Sequence, residues 1–247
     1  MTRLPGATRR AMLLRSLAVQ GSWNYQTLIG SGFAYMLLPA LRQQLGGDPA
    51  ALRSAVARHT ELFNSHPYLA TLAAGAVARL EADTTNPELI KRFKEALRGP
   101  IGSIGDQLFW LAWRPACALG AITLLLLESP WWVAAAGFVL VYNILHLYAR
   151  HWGLAAGLAT GLQVGAVLRD APFERWGNRA KKAGALLAGF ATVLAVAQVQ
   201  GGAFPGGMVA AAAAAGLMLR GWTRRFVWCV LATGWFAGVA GMFAAFG

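Results

Sequence analysis

The spacing of apolar and polar positions changes along this chain. In "ATRRAMLLRSLAVQ" Met12, Leu13 and Leu17 fall on one helical face, while Arg9, Arg10 and Arg15 supply charge. That predicts an amphipathic helix, lying in a membrane interface, against a partner, or on an ordinary surface. The next stretch is apolar from Leu28 to Leu41, shorter than the ~20 residues that a membrane span needs. "NPELIKRFKEALRGP" (Asn86 to Pro100) reads as a charged amphipathic helix that ends at Gly99-Pro100 and faces the cytoplasm. A short and broken apolar run follows from Pro115 to Leu127. Fuller spans are expected at Trp131–Tyr148, Trp152–Leu168, Ala183–Val199, Ala203–Leu219 and Phe226–Phe246.

The pattern predicts an all-α polytopic membrane protein. Its N-terminal half holds amphipathic and broken or re-entrant helices, and its C-terminal half holds about five apolar spans. The whole chain, 1–247, reads as one membrane domain. It comprises an amphipathic arm (1–20), a mixed half (21–114) and a transmembrane half (115–247).

Loop charge sets the expected orientation. "APFERWGNRAKK" and "RGWTRR" are basic, whereas "QGGAFPGG" between them is uncharged. Basic loops stay in the cytoplasm, so the uncharged tip lies outside, and the last span leaves the C-terminus outside as well. Counting back puts an expected Arg150-His151 turn outside, against the charge rule.

Composition agrees with a membrane chain. It is 57% hydrophobic and 13% charged, against about 25% charged in soluble domains. The net charge of +12 comes from Lys and Arg at the ends of apolar runs, which argues against nucleic-acid binding. Cys117 and Cys229 both lie within apolar runs, with no C-x-x-C spacing, and read as small packing residues. The first twenty residues lack the features of a signal peptide.

Two polar clusters within apolar context carry candidate chemistry. In "RHTELFNSHPY" (Arg58 to Tyr68) a helical reading aligns His59, Phe63 and His66, and draws Arg58, Glu61 and Asn64 together. Glu61 and Asn64 offer a carboxylate and an amide beside Phe63 and Tyr68. Such a mixture suits a sugar, whose hydroxyls need hydrogen-bond partners and whose apolar face needs a ring. The alternative is an Arg58–Glu61 pair on a wet helix face. The second cluster is "RGPIGSIGDQLFW", where Gly99, Gly102 and Gly105 precede Asp106 and Trp110. Glycines at this spacing permit a broken helix lining a cavity, as in transporters, or an interfacial turn. The G-K-[ST] end of a phosphate loop is missing. The four histidines have no metal-site spacing and suit polar core roles. No nucleophile–base arrangement emerges, so no catalytic residue, metal or cofactor is expected.

These motifs resemble one family. "LRSLAVQGSWNYQTLIGSGFAYMLLPALR", "ARHTELFNSHPYLATLAAGAVARLE", "LRGPIGSIGDQLFWLAWRP" and "ARHWGLAAGLATG" follow, in order and spacing, the IID membrane component of the mannose/fructose/sorbose class of the phosphoenolpyruvate-dependent sugar phosphotransferase system. The resemblance implies a multi-pass subunit in the bacterial cytoplasmic (inner) membrane. It pairs with the membrane component IIC to bind and translocate a hexose-type sugar, while cytoplasmic IIA and IIB carry the phosphoryl group. IID itself would hold no phosphorylated residue. Asp106 would help define the sugar pocket, with Glu61, Asn64 and Trp110 as further substrate-binding residues. Two features depart from the family pattern: Gln107 stands where Pro or Ser is usual, and the "QGGAFPGG" connection is short. The alternative function is a non-transporting membrane partner that senses or regulates the phosphorelay.

Overall fold

The computed structural model describes residues 4–83 and 86–199. The expected spans Ala203–Leu219 and Phe226–Phe246, the "QGGAFPGG" tip, Cys229 and the C-terminus lie outside the described residues. Residues 1–188 form one compact unit, and residues 189–247 belong to a second.

Among the described residues the fold is helical. α1 (Gly6–Ser16) lies in the stretch read as an amphipathic arm, with Met12 buried and Leu17, just past its end, exposed, and α2 (Gly30–Leu45) holds the first apolar run. α3 (Pro49–Thr60) starts where Asp48 accepts hydrogen bonds from the N–H groups of Ala50 and Ala51, with Pro49 in the first turn. α4 (Ala70–Asp83) is alanine-rich and almost wholly buried from Ala70 to Ala78. α5 (Pro87–Gly105) uses the same device, Asn86 capping and Pro87 opening the helix. It runs without a break into a π-helical stretch, Asp106–Trp113, and then α6 (Arg114–Leu126). α7 (Trp131–Thr160), α8 (Val164–Asp170) and α9 (Phe173–Val199) complete the described chain.

α4 is the centre of the first unit, packed closely on α7. Gly75, Gly153 and Gly157 make that approach possible. A Cβ on Gly157 would strike the Leu72 carbonyl, and one on Gly75 would strike the Leu154 carbonyl. Small residues at such crossings are how helices pack where lipid removes the hydrophobic drive. The C-terminus of α7 turns at Gly161, whose φ of +54° suits glycine. Arg79 of α4 donates to the exposed carbonyls of Leu158 and Ala159 there.

Three expectations are corrected. The spans expected at Trp131–Tyr148 and Trp152–Leu168 are not separate: one helix runs from Trp131 to Thr160, and no turn forms at Arg150-His151. The reason is that Arg150 is housed. It is buried, donates to the Ser16 carbonyl at 2.5 Å, and lies over the Tyr68 ring at 5.0 Å. The helix expected to stop at Gly99-Pro100 continues to Gly105, and the glycine-rich stretch is helical rather than broken. Its glycines serve close packing: a Cβ on Gly105 would overlap the His66 ring. Lastly, the helix read through "RHTELFNSHPY" ends at Thr60. Residues 61–66 instead form an extended loop pinned to residues 27–29. The Ile29 N–H donates to the Phe63 carbonyl at 3.0 Å, and the Phe63 N–H to the Thr27 carbonyl at 3.2 Å.

The stretches Pro87–Leu126 and Trp131–Ala195 are long and apolar enough to cross a membrane. Only 28% and 11% of their most apolar windows are buried within the chain. The core helix of a soluble protein would be mostly buried, so these apolar faces suit lipid or a membrane partner.

Candidate functional site

The site forms where the second of two paired loops meets the π-helical stretch. The first loop, residues 22–29, is shaped by Asn24, whose side-chain oxygen accepts from the N–H groups of Gln26 and Thr27 at 2.9 Å each. The second, residues 61–68, lies against it. Gly30 permits the approach, since a Cβ there would meet the carbonyls of Thr60 and Glu61. Phe63 is fully buried against Phe33, which anchors the second loop. Ser65 and His66 then face α5 at Gly102 and Gly105.

The helix distorts at this point for a local reason. Pro115 has no N–H to donate, and its ring crowds the carbonyl four residues back, that of Leu111. A wider π turn ahead of the proline accommodates this. It also sets Phe109 and Trp110 onto His66: Phe109 stacks on the imidazole at 4.9 Å between centroids, and Trp110 lies at 5.0 Å.

A buried polar–aromatic column continues from there. Tyr68 packs on Trp110 and His146, and its hydroxyl shares a 2.7 Å hydrogen bond with that of Tyr142. Tyr142, His146 and Arg150 follow each other at four-residue steps on α7, so they form one face. Sequence reasoning missed this column as a unit, although that spacing is visible. Several of its buried atoms have no hydrogen-bond partner within the described chain: Ser65 Oγ, His66 Nε2, Thr71 Oγ1, His146 Nδ1 and Arg150 Nε. Buried polar atoms of this kind call for a partner.

The four expected site residues are placed unequally. Trp110 is half-buried and touches His66 and Tyr68. Asp106 is exposed at the start of the π turn, next to Gly105 and therefore beside the His66 loop. Asn64 is exposed in that same loop, two residues before His66. Glu61 is set apart. It is exposed and lies 3.7 Å from Lys91 in an ion pair, at the other end of α5. Fourteen residues of helix separate Lys91 from Gly105, about 20 Å along the axis. The Arg58–Glu61 pair does not form either; Arg58 pairs with Glu81 at 2.7 Å.

Glu81 is the hub of a separate buried network. His59 Nε2 donates to the same carboxylate oxygen at 2.7 Å, and Lys94 donates to the Arg58 carbonyl at 3.0 Å. Burial lowers the His59 pKa and keeps the ring neutral. Burial alone would raise the Glu81 pKa, but hydrogen bonds from His59 and Arg58 outweigh it and hold the carboxyl below its ordinary range. The network clamps α3, α4 and α5 behind the loop that carries Asn64. Its residues are bonded to each other, which fits a structural role.

Comparison with known proteins identifies the family of this chain. Residues 3–196 match the family model of the PTS system mannose/fructose/sorbose family IID component. The chain is 32% identical over 168 residues to the mannose-specific EIID component of Escherichia coli K12, covering 63% of this chain and 56% of that one. It is 31% identical over 180 residues to the fructose permease IID component of Bacillus subtilis, covering 70% and 61%. The chain thus spans between half and two thirds of the length of these relatives. In fold it is similar to a chain in the cryo-electron microscopy structure of the complex of mannose transporter ManYZ with microcin E492. The TM-score is 0.62 at 23% identity, with 99% of this chain and 98% of that chain covered. A second structure, described as a membrane protein, gives 0.67 at 22% identity, with 97% and 98% covered. With residues 3–196 matching that model, the chain belongs to the mannose/fructose/sorbose family of phosphotransferase-system IID membrane components.

Proposed function

We propose that this chain is the IID subunit of a sugar phosphotransferase complex, forming with a IIC partner the unit that binds and translocates a hexose-type sugar. Phosphoryl transfer belongs to the cytoplasmic IIA and IIB components, and this chain holds no catalytic residue. The observation that carries the reading is the meeting of the Asn64–Tyr68 loop with the π turn at Asp106–Trp110. The loop carries an exposed amide, Asn64, and the π turn an exposed carboxylate, Asp106, and a half-buried indole, Trp110. That is an acceptor for hydroxyls, a donor–acceptor, and a surface for the apolar face of a pyranose. The buried atoms of the column behind it that have no partner among the described residues, such as His66 Nε2 and His146 Nδ1, give further polar contacts for hydroxyls or water. Glu61, held in its ion pair with Lys91, is the least directly placed of the four.

The orientation proposed for the inner membrane follows from the corrected helices. Lys91, Arg92 and Arg98 sit on α5, and Arg169, Arg175, Arg179 and Lys182 flank the start of α9. These ends face the cytoplasm. The tip at Glu128–Pro130 and the exposed Trp131 and Trp132 then lie at the outer interface. With one helix from Trp131 to Thr160, Arg150 no longer occupies an outer loop, and the conflict with the charge rule disappears.

The test is reconstitution. Expressed with IIC, IIA and IIB in cells lacking their own system, the chain should restore uptake and phosphorylation of mannose, fructose or sorbose; expressed alone, it should restore none. Assembly with IIC without uptake of any sugar would favour the regulatory alternative. Uptake by this chain alone would overturn the division of labour.

A further inference from the structure

Residues 1–47 hold five arginines, Arg3, Arg9, Arg10, Arg15 and Arg42, and no aspartate or glutamate. Arg9 and Arg10 are exposed on α1, and neither they nor Arg15 makes an ion pair among the described residues. Asp83 lines the same cavity as Arg9, but it is bonded to Arg79 at 2.6 Å. Arg10, Leu14 and Leu17 follow at steps of four and three and share one helical face. The turns continue past Ser16, since the Leu17 and Ala18 N–H groups donate to the Leu14 and Arg15 carbonyls at 3.2 and 3.1 Å. That face is open, with Leu14 69% and Leu17 55% exposed, whereas Met12 and Ser16 on the other side are fully buried. Arg15 lies 4.6 Å over the exposed Tyr35 ring, and the exposed Trp23 and Tyr25 meet edge to face in the loop that follows.

Depth sets these groups in order. α1 runs antiparallel to the end of α7: Ser16 meets Arg150, while Leu4 and Arg9 line a cavity with Leu158 and Ala159. In the orientation proposed above, Trp131 stands at the outer interface. Nineteen residues of α7 separate it from Arg150, about 28 Å along the axis. The hydrocarbon core is ~30 Å thick, so Arg150 and Ser16 reach its inner boundary. Leu14 and Leu17 lie at that level, within about 3 Å of Ser16 along the helix. Arg9 and Arg10 lie about 10 Å further toward the cytoplasm, at the height of the headgroups. The apolar groups are thus the deeper ones and the cations the shallower.

We propose that α1 seats on the cytoplasmic leaflet, with Leu14 and Leu17 at the edge of the hydrocarbon and Arg9 and Arg10 on the phosphates of anionic phospholipids. The charge decides the occupant, because a segment with arginines and no carboxylate complements the negative inner surface of the membrane. Trp23, Tyr25 and Tyr35 are residue types that favour that level. The Arg150 bond to the Ser16 carbonyl holds α1 on α7 and keeps the Leu14–Leu17 face turned outward. The inference rests on the proposed orientation and not on sugar handling.

The test uses the full chain with its membrane partner in nanodiscs of dioleoylphosphatidylcholine. Cys117→Ala and Cys229→Ala clear the background, and Leu14→Cys, or Ala18→Cys on the same face, takes a fluorophore. Equal small fractions of spin-labelled phosphatidylglycerol or phosphatidylcholine act as quenchers, so quenching reports which lipid gathers at the arm. Both should quench, phosphatidylglycerol with at least about five-fold higher relative association, as expected for one basic contact. Arg9→Gln with Arg10→Gln should bring the two lipids level and leave quenching by phosphatidylcholine unchanged. Equal quenching by the two lipids before that change would overturn the proposal. Quenching by aqueous iodide in place of lipid would overturn it by leaving the arm in water. A label reached by neither would overturn it by showing that protein covers the face. A maleimide on Ser129→Cys reads the orientation separately, and labelling only from inside would place the arm in the other leaflet and overturn the proposal on that ground.

Discussion

Gly157→Ala should destabilise the protein although alanine is the better helix former. The added Cβ on α7 would meet the Leu72 carbonyl, the Ala76 nitrogen at 2.6 Å and the Gly75 carbonyl carbon at 3.0 Å. Ordinary van der Waals separations are about 3.5 Å or more, so the helices must part by on the order of 1 Å. All three atoms are backbone of α4, the buried centre of the unit, and none can swing aside. Overpacking of this kind costs about 1–3 kcal/mol. The gain in helix propensity returns at most about 1 kcal/mol. A net loss of up to ~2 kcal/mol corresponds to a fall of roughly 2–8 °C in melting temperature for a chain of this size. Gly75→Ala, on the facing helix, should do the same. Gly165→Ala and Gly189→Ala meet nothing within 4 Å and should be neutral or raise the melting temperature slightly. Thermal unfolding of the detergent-purified chain, followed by tryptophan fluorescence, separates the two classes. Equal effects at all four positions, or a rise for Gly157→Ala, would refute the close α4–α7 crossing.

Other expectations follow from the buried charges. Stability should fall in acid in two steps of the same sign. His59 is held neutral below its ordinary pKa of 6.5, so its contribution is complete above pH 6.5 and is lost as pH falls below that. Glu81 is held below its ordinary 4.5, so its contribution is complete above that value and is lost at lower pH. Denaturant unfolding across pH 8 to 4 checks this, and a flat profile through pH 6 would remove the His59 step. Arg150→Met removes the 2.5 Å hydrogen bond to Ser16, worth about 1.5–3 kcal/mol for a charged donor. It should expose α1 to protease while the α4–α7 core stays resistant, and unchanged cleavage would show that Arg150 does not hold the arm. A reporter active only in the cytoplasm, fused after Gly247, should stay silent, and a maleimide should label Ser129→Cys from outside; a bright reporter or labelling only from inside would reverse the orientation.

The helices at the N-terminus were legible because their signals are local. Arginines on one side of Met12 and Leu13 mark α1, and Asp48-Pro49 and Asn86-Pro87 mark the starts of α3 and α5. What misled were residues whose meaning depends on distant partners. Arg150 reads as a loop charge until Ser16 and Tyr68 are brought to it from far along the chain. Gly102 and Gly105 read as a break until Ser65 and His66 are laid against them. Arg58 reads as the partner of Glu61, three residues on, but finds Glu81 on α4. Of the site, the motif residues Asn64, Asp106 and Trp110 were visible, and so was the four-residue spacing of Tyr142, His146 and Arg150. Their meeting through His66 and Tyr68 is tertiary and left no local mark.

The most direct test of the sugar site is titration of mannose, fructose and sorbose into the purified complex of this chain with IIC, with and without Asp106→Asn. The change keeps shape and removes the charge that would accept hydrogen bonds from sugar hydroxyls. A hydrogen bond to a charged group is worth about 1.5–3 kcal/mol, so affinity for the cognate sugar should fall roughly ten- to a hundred-fold while assembly with IIC is retained. Unchanged affinity in an intact complex would contradict the account and place Asp106 outside the site.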